Sequence, residues 1–317
     1  MTFLKCPVCG GHAAQKEFIS GPQILEQVKA SMPDLPSPDL MIGDYSLMEC
    51  EGCSLVFADP MEPGDNHFYG WICSSHIYYP SSRWEWGPLV ERILTIDQAK
   101  ILDVGCGSGL FLETIRRFGI NGLGVDPTKE SVAACRAKGI EAQQLSIQEM
   151  VESPLGQFSV VTLFHVLEHV ADPLGAIKIL KRSLSSSGIL AVSVPYSPMS
   201  FETDWRDPLN RPPHHLTRWN ERSLKALANA AGMSAEILVQ PARSMLARVI
   251  STLQLKLSLP PIDGSSAWER KGRLSWRLIS HPVDAVTIAY HQMQRDRETG
   301  GAKGDAVMLL MKHGGAQ

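Results

Sequence analysis

An apolar run, Ile101-Leu-Asp-Val104, leads directly into Gly105-Cys-Gly-Ser-Gly109 and then into an amphipathic stretch from Leu110 to Phe118. A strand, a glycine turn and a helix in that order commit the chain to a β-α-β unit, because the helix must return over the sheet before the next parallel strand can pair. The texture then repeats. Gly122–Asp126 reads as a second strand, Glu130–Lys138 as a helix, Ile140–Gln143 as a short strand and Phe158–Phe164 as a fourth. A helix over Pro173–Ser183, a strand over Gly188–Val194, a helix over Glu221–Ala231 closed by Gly232, and strands at Ala235–Val239 and Ala306–Met311 complete the series. Strands alternating with helices predict an α/β fold, a parallel sheet with helices on both faces.

The glycine loop has chemical consequences. Glycines at a strand-to-helix turn permit a tight backbone path, and the helix N-terminus offers unpaired N–H groups to a ligand. Gly-x-Gly-x-Gly is followed by Leu110 where the dinucleotide fingerprint would carry a further spaced glycine. Asp103 stands just before the loop and Asp126 ends the next strand, where a carboxylate can accept two hydrogen bonds from a ribose diol.

Ile101-Leu-Asp-Val-Gly-Cys-Gly-Ser-Gly-Leu110 resembles the first motif of class I S-adenosylmethionine-dependent methyltransferases, and Gly124-Val-Asp126 resembles the second. Phe158 to Pro173 and Gly188 to Pro195 are similar to the fourth and fifth strand segments of a large bacterial subgroup. The resemblance covers residues 98–240 and resumes at 304–312. It implies a Rossmann-like sheet of seven strands with the last antiparallel, and S-adenosylmethionine as cofactor. Carried over residue by residue, it places Gly105, Gly107 and Gly109 against the methionine part, with Cys106 in the same loop lining the pocket. Asp103 lies at the amino-acid end and Asp126 at the ribose hydroxyls. Ser146 stands where the family often has an Asp for the adenine, and Phe164 and His165 wall the pocket.

Two histidine-bearing segments follow. His165-Val-Leu-Glu168-His169 spells an inverted zinc-protease motif, which needs a helix to bring both histidines to one face. Here the segment leaves a buried strand, so a protease is rejected. Glu168 and His169 are read as bonding the backbone, with a divalent-ion pair as the alternative. The second segment is Arg211-Pro-Pro-His-His-Leu-Thr-Arg-Trp-Asn220, after a long loop rich in Pro and Trp. The resemblance places a histidine before a helix start here, matching His215. A histidine titrates near neutrality and can take a proton from an acceptor. His215 is read as a general base or as a structural residue of the substrate loop, with His214 beside it. Tyr196, Asp204 and Arg206 are candidates for contacting substrate.

Cys6-Pro-Val-Cys9 and Cys50-Glu-Gly-Cys53 supply four thiols as two Cys-x-x-Cys pairs. Zinc takes such a tetrahedral set in structural sites, and four protein ligands leave no open position for catalysis. The 40 residues between the pairs are more than usual, but loop entropy grows slowly with length. The expected organisation is a zinc-ribbon-like module over 1–60, a linker and leading helix over 61–97, and a methyltransferase domain over 98–317 with a helical insertion at 243–304. This layout also resembles bacterial glycan, sugar and natural-product methyltransferases.

Charge separates the insertion from the rest. Residues 243–304 carry ten Lys/Arg against five Asp/Glu, leaving 20 against 28 elsewhere. Two apolar patterns run through it, Met245, Leu246, Val249, Ile250, Leu253, Leu257 and then Ile279, Val283, Val286, Tyr290, Met293, with a turn at Pro260–Gly264 after the first. It is read as a lid or a homodimer face, with a membrane-surface patch as the alternative. No secretory leader is visible and no run of about 18 apolar residues exists, so a cytoplasmic location is expected. The expected function is methyl transfer to oxygen or carbon of a small-molecule, sugar or glycan acceptor. The competing readings are an RNA methyltransferase gripping RNA with its zinc module, and a noncatalytic assembly partner built on the cofactor fold. Residues 1–60 hold only Lys5, Lys16 and Lys29 as strong cations, too few for a phosphate track, so no nucleic acid is expected.

Overall fold

The structure, a computed structural model, describes residues 4–32, 34–36, 39–75, 82–259, 276 and 278–314. The expected turn at 260–264 lies outside them. Two compact units result: one of residues 1–195, 208–238 and 307–317, the other of residues 196–207 and 239–306.

The first unit carries two sheets. The smaller is built from β1 (Ala13–Ile19), β2 (Tyr45–Cys50), β3 (Val56–Asp59) and a two-residue strand far along the chain, Thr217–Arg218, in that order and all antiparallel. α1 (Gly21–Ser31) buries Ile24 and Val28 against it. α2 (Asn66–Ile72) adds Phe68 and Ile72 to the same core. The stretch from 61 to 72 was expected to be linker; its apolar side chains instead close the N-terminal core, which a short four-stranded sheet needs on one face.

α3 (Trp86–Ile93) leads into the large sheet. Its strands are β4 (Ile101–Val104), β5 (Gly122–Asp126), β6 (Glu141–Gln144), β7 (Phe158–Phe164), β8 (Leu184–Pro195), β10 (Met233–Pro241) and β11 (Lys303–His313), with the Thr217–Arg218 strand counted as β9. The order across the sheet is β10-β11-β8-β7-β4-β5-β6. The pairs β4–β5, β4–β7, β5–β6 and β7–β8 are parallel, and the last strands are antiparallel. This is the expected Rossmann-like sheet of seven strands. The order reverses at β4, between β5 and β7, which is where doubly wound sheets bind ligands at the carboxyl ends of their strands. α4 (Leu110–Arg116), α5 (Lys129–Ala137), α6 (Pro173–Lys181) and α7 (Glu221–Ala230) cross over between strands. Asn220 caps α7 in a reciprocal pair with Ser223, and Gly232 follows its end at φ 62°, as the C-terminal glycine predicts.

In the second unit α8 (Met245–Lys256) and α9 (Pro282–Glu298) pack through Val249, Leu253 and Ile288. Arg248 makes a two-pronged ion pair with Asp296 at 2.9 and 2.7 Å. Arg295 donates to the carbonyls of Pro198, Lys303 and Gly304. The first apolar pattern buries Val249, Ile250 and Leu253, as its spacing suggests. The second does not. Val283 and Val286 are 78% and 71% exposed, and Ile279, Tyr290 and Met293 join them, while Gln292 and Arg295 are buried. The buried face of α9 mixes Ile288 with Gln292 and Arg295, whose side chains satisfy a hydroxyl and carbonyls. No described helix is long and apolar enough to cross a membrane.

Candidate active site and cysteine cluster

The loop after β4 is held by its own strand neighbours. Gly105 and Cys106 donate backbone N–H bonds to Val125, and Gly105, Gly107 and Gly109 adopt φ of 70°, 51° and 77°. That region is closed to most side chains. At Gly105 and Gly109 space is closed as well. A Cβ on Gly105 would meet Val166 Cγ2 at 2.4 Å, and one on Gly109 would meet Cys135 Sγ and Ile140 Cδ1 at 2.9 Å. The Asp126 carboxylate, buried at the end of β5, accepts from Gly107 N at 3.0 Å and from Thr128 N and Oγ1 at 2.9 and 2.7 Å. Asp103 is buried in β4 beside Thr162 of β7, whose hydroxyl donates to it at 2.6 Å. Burial pushes the Asp103 carboxyl up to about 7 despite that bond.

Other predicted cofactor residues sit as follows. The Cys106 thiol turns into the core, 3.8 Å from Cys135 Sγ and beneath Gly124. Ser146 and Glu149 cap one another, so the hydroxyl at the adenine position is tied to a neighbouring carboxylate. Phe164 packs edge-on to Phe111 at 4.9 Å.

His165 holds a left-handed φ of 51°, a strained conformation for a side chain of this size. Its N–H bonds Ser193 O, and its ring lies between two buried carboxylates, Nε2 at 3.1 Å from Glu85 and Nδ1 at 3.4 Å from Glu168. Ser193 Oγ also donates to Glu85. Sequence reasoning missed Glu85: it lies 80 residues from His165, and no local pattern links them. Burial alone would raise the Glu85 carboxyl, but the bond from His165 holds it below the usual range. Burial alone would lower His165, but Glu168 and Glu85 raise it. A raised histidine stabilises fully below its unfolded pKa of about 6.5 and stops doing so as pH climbs through the folded value. A depressed carboxylate stabilises above about 4.3 and fails as pH falls through its folded value. The pair therefore contributes most between about pH 4.3 and 6.5. Glu85→Gln is expected to cost about 3 kcal/mol at about pH 5.5 and clearly less at about pH 9, by thermal melts at both; an equal cost at both would exclude the ion pair.

The predicted substrate segment 211–220 pairs with the N-terminal sheet. β9 lies beside β3 with Phe57 opposite Thr217, Ala58 N bonds Leu216 O, and Leu216 N bonds Glu168 O. Arg211 reaches Glu17, and Asn220 reaches Ser54 O. The turn after β7 is thus joined to the cysteine module through one extended segment. His214 is buried with Nδ1 on Leu209 O at 2.8 Å, and His215 has Nδ1 on Asn210 Oδ1 at 3.0 Å. Burial lowers both imidazoles well below the ordinary value, so both are neutral at pH 7. His169 Nδ1 bonds the His214 carbonyl at 2.6 Å, in line with its backbone-bonding expectation.

The substrate candidates Tyr196, Asp204 and Arg206 fall in the second unit, apart from the histidines in the chain's division. Tyr196 is buried beneath Arg295 and Lys303, and Asp204 accepts from His291 at 2.9 Å. These bonds account for Tyr196 and Asp204 as parts of that unit's own packing.

The four predicted cysteine ligands converge. Cys6 and Cys53 Sγ lie 3.7 Å apart and Cys9 and Cys50 Sγ 3.4 Å apart, with all four within 4.8 Å. Those separations are too long for disulfides. They match the edges, about 3.8 Å, of a tetrahedron with metal–sulfur bonds of about 2.3 Å. Val8 N and Cys53 N donate to Cys6 and Cys50 Sγ, and Gly11 and Gly52 leave room beside the sulfurs. The donor set fits zinc.

Residues 82–236 match the family described as methyltransferase domain. The chain is similar to ubiquinone biosynthesis O-methyltransferases, 32% identical over 105 residues in Acinetobacter baumannii strain AYE, covering 31% of this chain and 44% of that protein. The relative from Xanthomonas oryzae strain PXO99A is 34% identical over 110 residues, 33% of this chain and 46% of that protein. The match therefore spans less than half the length of these relatives. A solved SAM-dependent methyltransferase from Archaeoglobus fulgidus is 16% identical with a TM-score of 0.46, covering 72% of this chain and 94% of its own. Within the matched residues, the glycine loop, Asp126 and His165 all lie at the carboxyl ends of β4, β5 and β7.

Proposed function

We propose that the protein transfers the methyl group of S-adenosylmethionine to a hydroxyl of a small-molecule acceptor. The observation that carries this is the loop of three left-handed glycines tied to the buried Asp126 at the reversal of strand order. The cofactor supplies a methyl already activated on sulfonium. Gly105, Gly107 and Gly109 would hold its amino-acid end with Asp103, and Asp126 its ribose. The chain's own task is to bring the acceptor oxygen into line and exclude water. The name of the similar relatives supports an oxygen acceptor; a sugar or glycan is carried by the N-terminal layout described above. We assign the four cysteines to one structural zinc. Its module pairs one edge of its sheet with residues 217–218, which supports a scaffold role for it over a grip on RNA.

Purified full-length protein given methyl-labelled S-adenosylmethionine and a panel of phenolic, sugar and glycan acceptors is expected to label at least one acceptor on oxygen. Label on none, together with no cofactor binding in calorimetry, sinks the reading.

A further inference from the structure

The rings of His169, His214 and His215 form a compact cluster, with centroids 4.5, 4.8 and 4.6 Å apart and His214 stacked on His215. One ring nitrogen from each lies within 4.8 Å of the other two. Each Nδ1 faces an oxygen that can only accept: the His214 carbonyl, the Leu209 carbonyl and Asn210 Oδ1. The protons therefore sit on Nδ1, and the lone pair of every ring is on Nε2. An oxygen acceptor on the far nitrogen is the arrangement that orients metal-binding histidines.

A second, independent feature points the same way. Glu168, the residue before His169, is buried, and its carboxylate has an ion-pair contact with His165 Nδ1 at 3.4 Å but no hydrogen-bond partner among the described residues. A buried carboxylate with a single ion-pair partner is costly to keep charged, and it adjoins His169 in the chain. The cluster is also walled. Phe68 and Tyr69 of α2 border the rings, and Tyr69 Oη donates to the His214 carbonyl at 3.3 Å.

We propose that His169, His214 and His215 form a second metal site, separate from the four cysteines, that binds a divalent transition ion through three imidazole nitrogens. Three imidazole ligands suit zinc, cobalt, nickel or copper rather than magnesium or calcium. Three protein ligands leave an open position for water or an oxygen ligand, unlike the closed cysteine set. The Nε2 atoms would draw together to edges of about 3.3 Å around metal–nitrogen bonds of about 2.0 Å. This assignment replaces the general-base expectation for His215, since the lone pair that would take a proton is given to the metal. It does not depend on the proposed methyl transfer, because metal binding is read without cofactor or acceptor.

The test is a titration of the purified full chain with Co2+. Cobalt on the cysteines shows sulfur-to-metal charge transfer; cobalt on the histidines adds ligand-field bands without it. Two equivalents are expected in the wild type and one in His215→Gln and in the half-buried His169→Gln, with the charge-transfer band retained. Identical binding and spectra in the wild type and both variants overturn the proposal. If a variant fails to fold, X-ray absorption on the wild type with added Zn2+ decides: nitrogen at about 2.0 Å beside sulfur at about 2.3 Å upholds the site, and an all-sulfur shell with one equivalent bound overturns it.

Discussion

Replacing Gly105 with alanine is expected to weaken S-adenosylmethionine binding by roughly ten- to a hundredfold, read by calorimetry. The new Cβ costs about 1–2 kcal/mol for its left-handed backbone alone. It also lands 2.4 Å from Val166 Cγ2, so the loop or the turn after β7 must shift. Every 1.4 kcal/mol is a factor of ten in affinity. The two causes can be separated. Gly105→Ala with Val166→Ala removes the steric conflict and should recover part of the affinity, leaving the backbone cost. Asp126→Ala removes the acceptor of three hydrogen bonds, one of them from Gly107 N, and should weaken binding by a similar factor. Wild-type affinity in both Gly105→Ala and Asp126→Ala would remove the glycine loop from the cofactor site.

The largest stability effect is expected at the cysteines. Cys50→Ser should abolish sulfur-bound zinc and cost at least about 3 kcal/mol in a thermal melt. Structural zinc contributes about 10–16 kcal/mol of apparent binding energy in small modules, comparable to the whole stability of a domain. The effect should not stay local. β3 follows the second Cys pair and holds Thr217–Arg218, and Leu216 N bonds Glu168 O. Loss of the module should therefore expose the 208–219 segment to protease. Protein isolated without zinc, with a Cys50→Ser melt equal to wild type, would show the cluster to be unmetallated.

The large sheet was legible because its strands are local signals. Ile101–Val104, Gly122–Asp126 and Phe158–Phe164 are short apolar runs bounded by turn residues, and the structure places strands over those same residues. The glycine loop was legible for a similar reason: positive φ leaves few residue choices. The four cysteines were legible as pairs, since each Cys-x-x-Cys folds within a few residues. Glu85 and the strand at Thr217–Arg218 were not. Their partners lie 80 residues away at His165 and some 160 residues away at β3, and no residue type announces such a pairing. The apolar stripe of α9 was legible as a stripe, but periodicity says only that a helix has an apolar face. Which face the fold covers depended on Arg295 finding three carbonyls to bond.

By itself, then, the sequence determined the order of strands and helices of the large sheet, the strained loop between β4 and α4, and two pairs of thiols. Each follows from backbone sterics or side-chain chemistry within about ten residues. The tertiary structure alone decided that the cysteine module holds the 208–219 segment, that a carboxylate at the start of the leading helix pairs with His165, and that three histidines from two loops meet. These depend on which distant surfaces pack together, and close packing of whole elements, not any local preference, brings such groups within bonding distance.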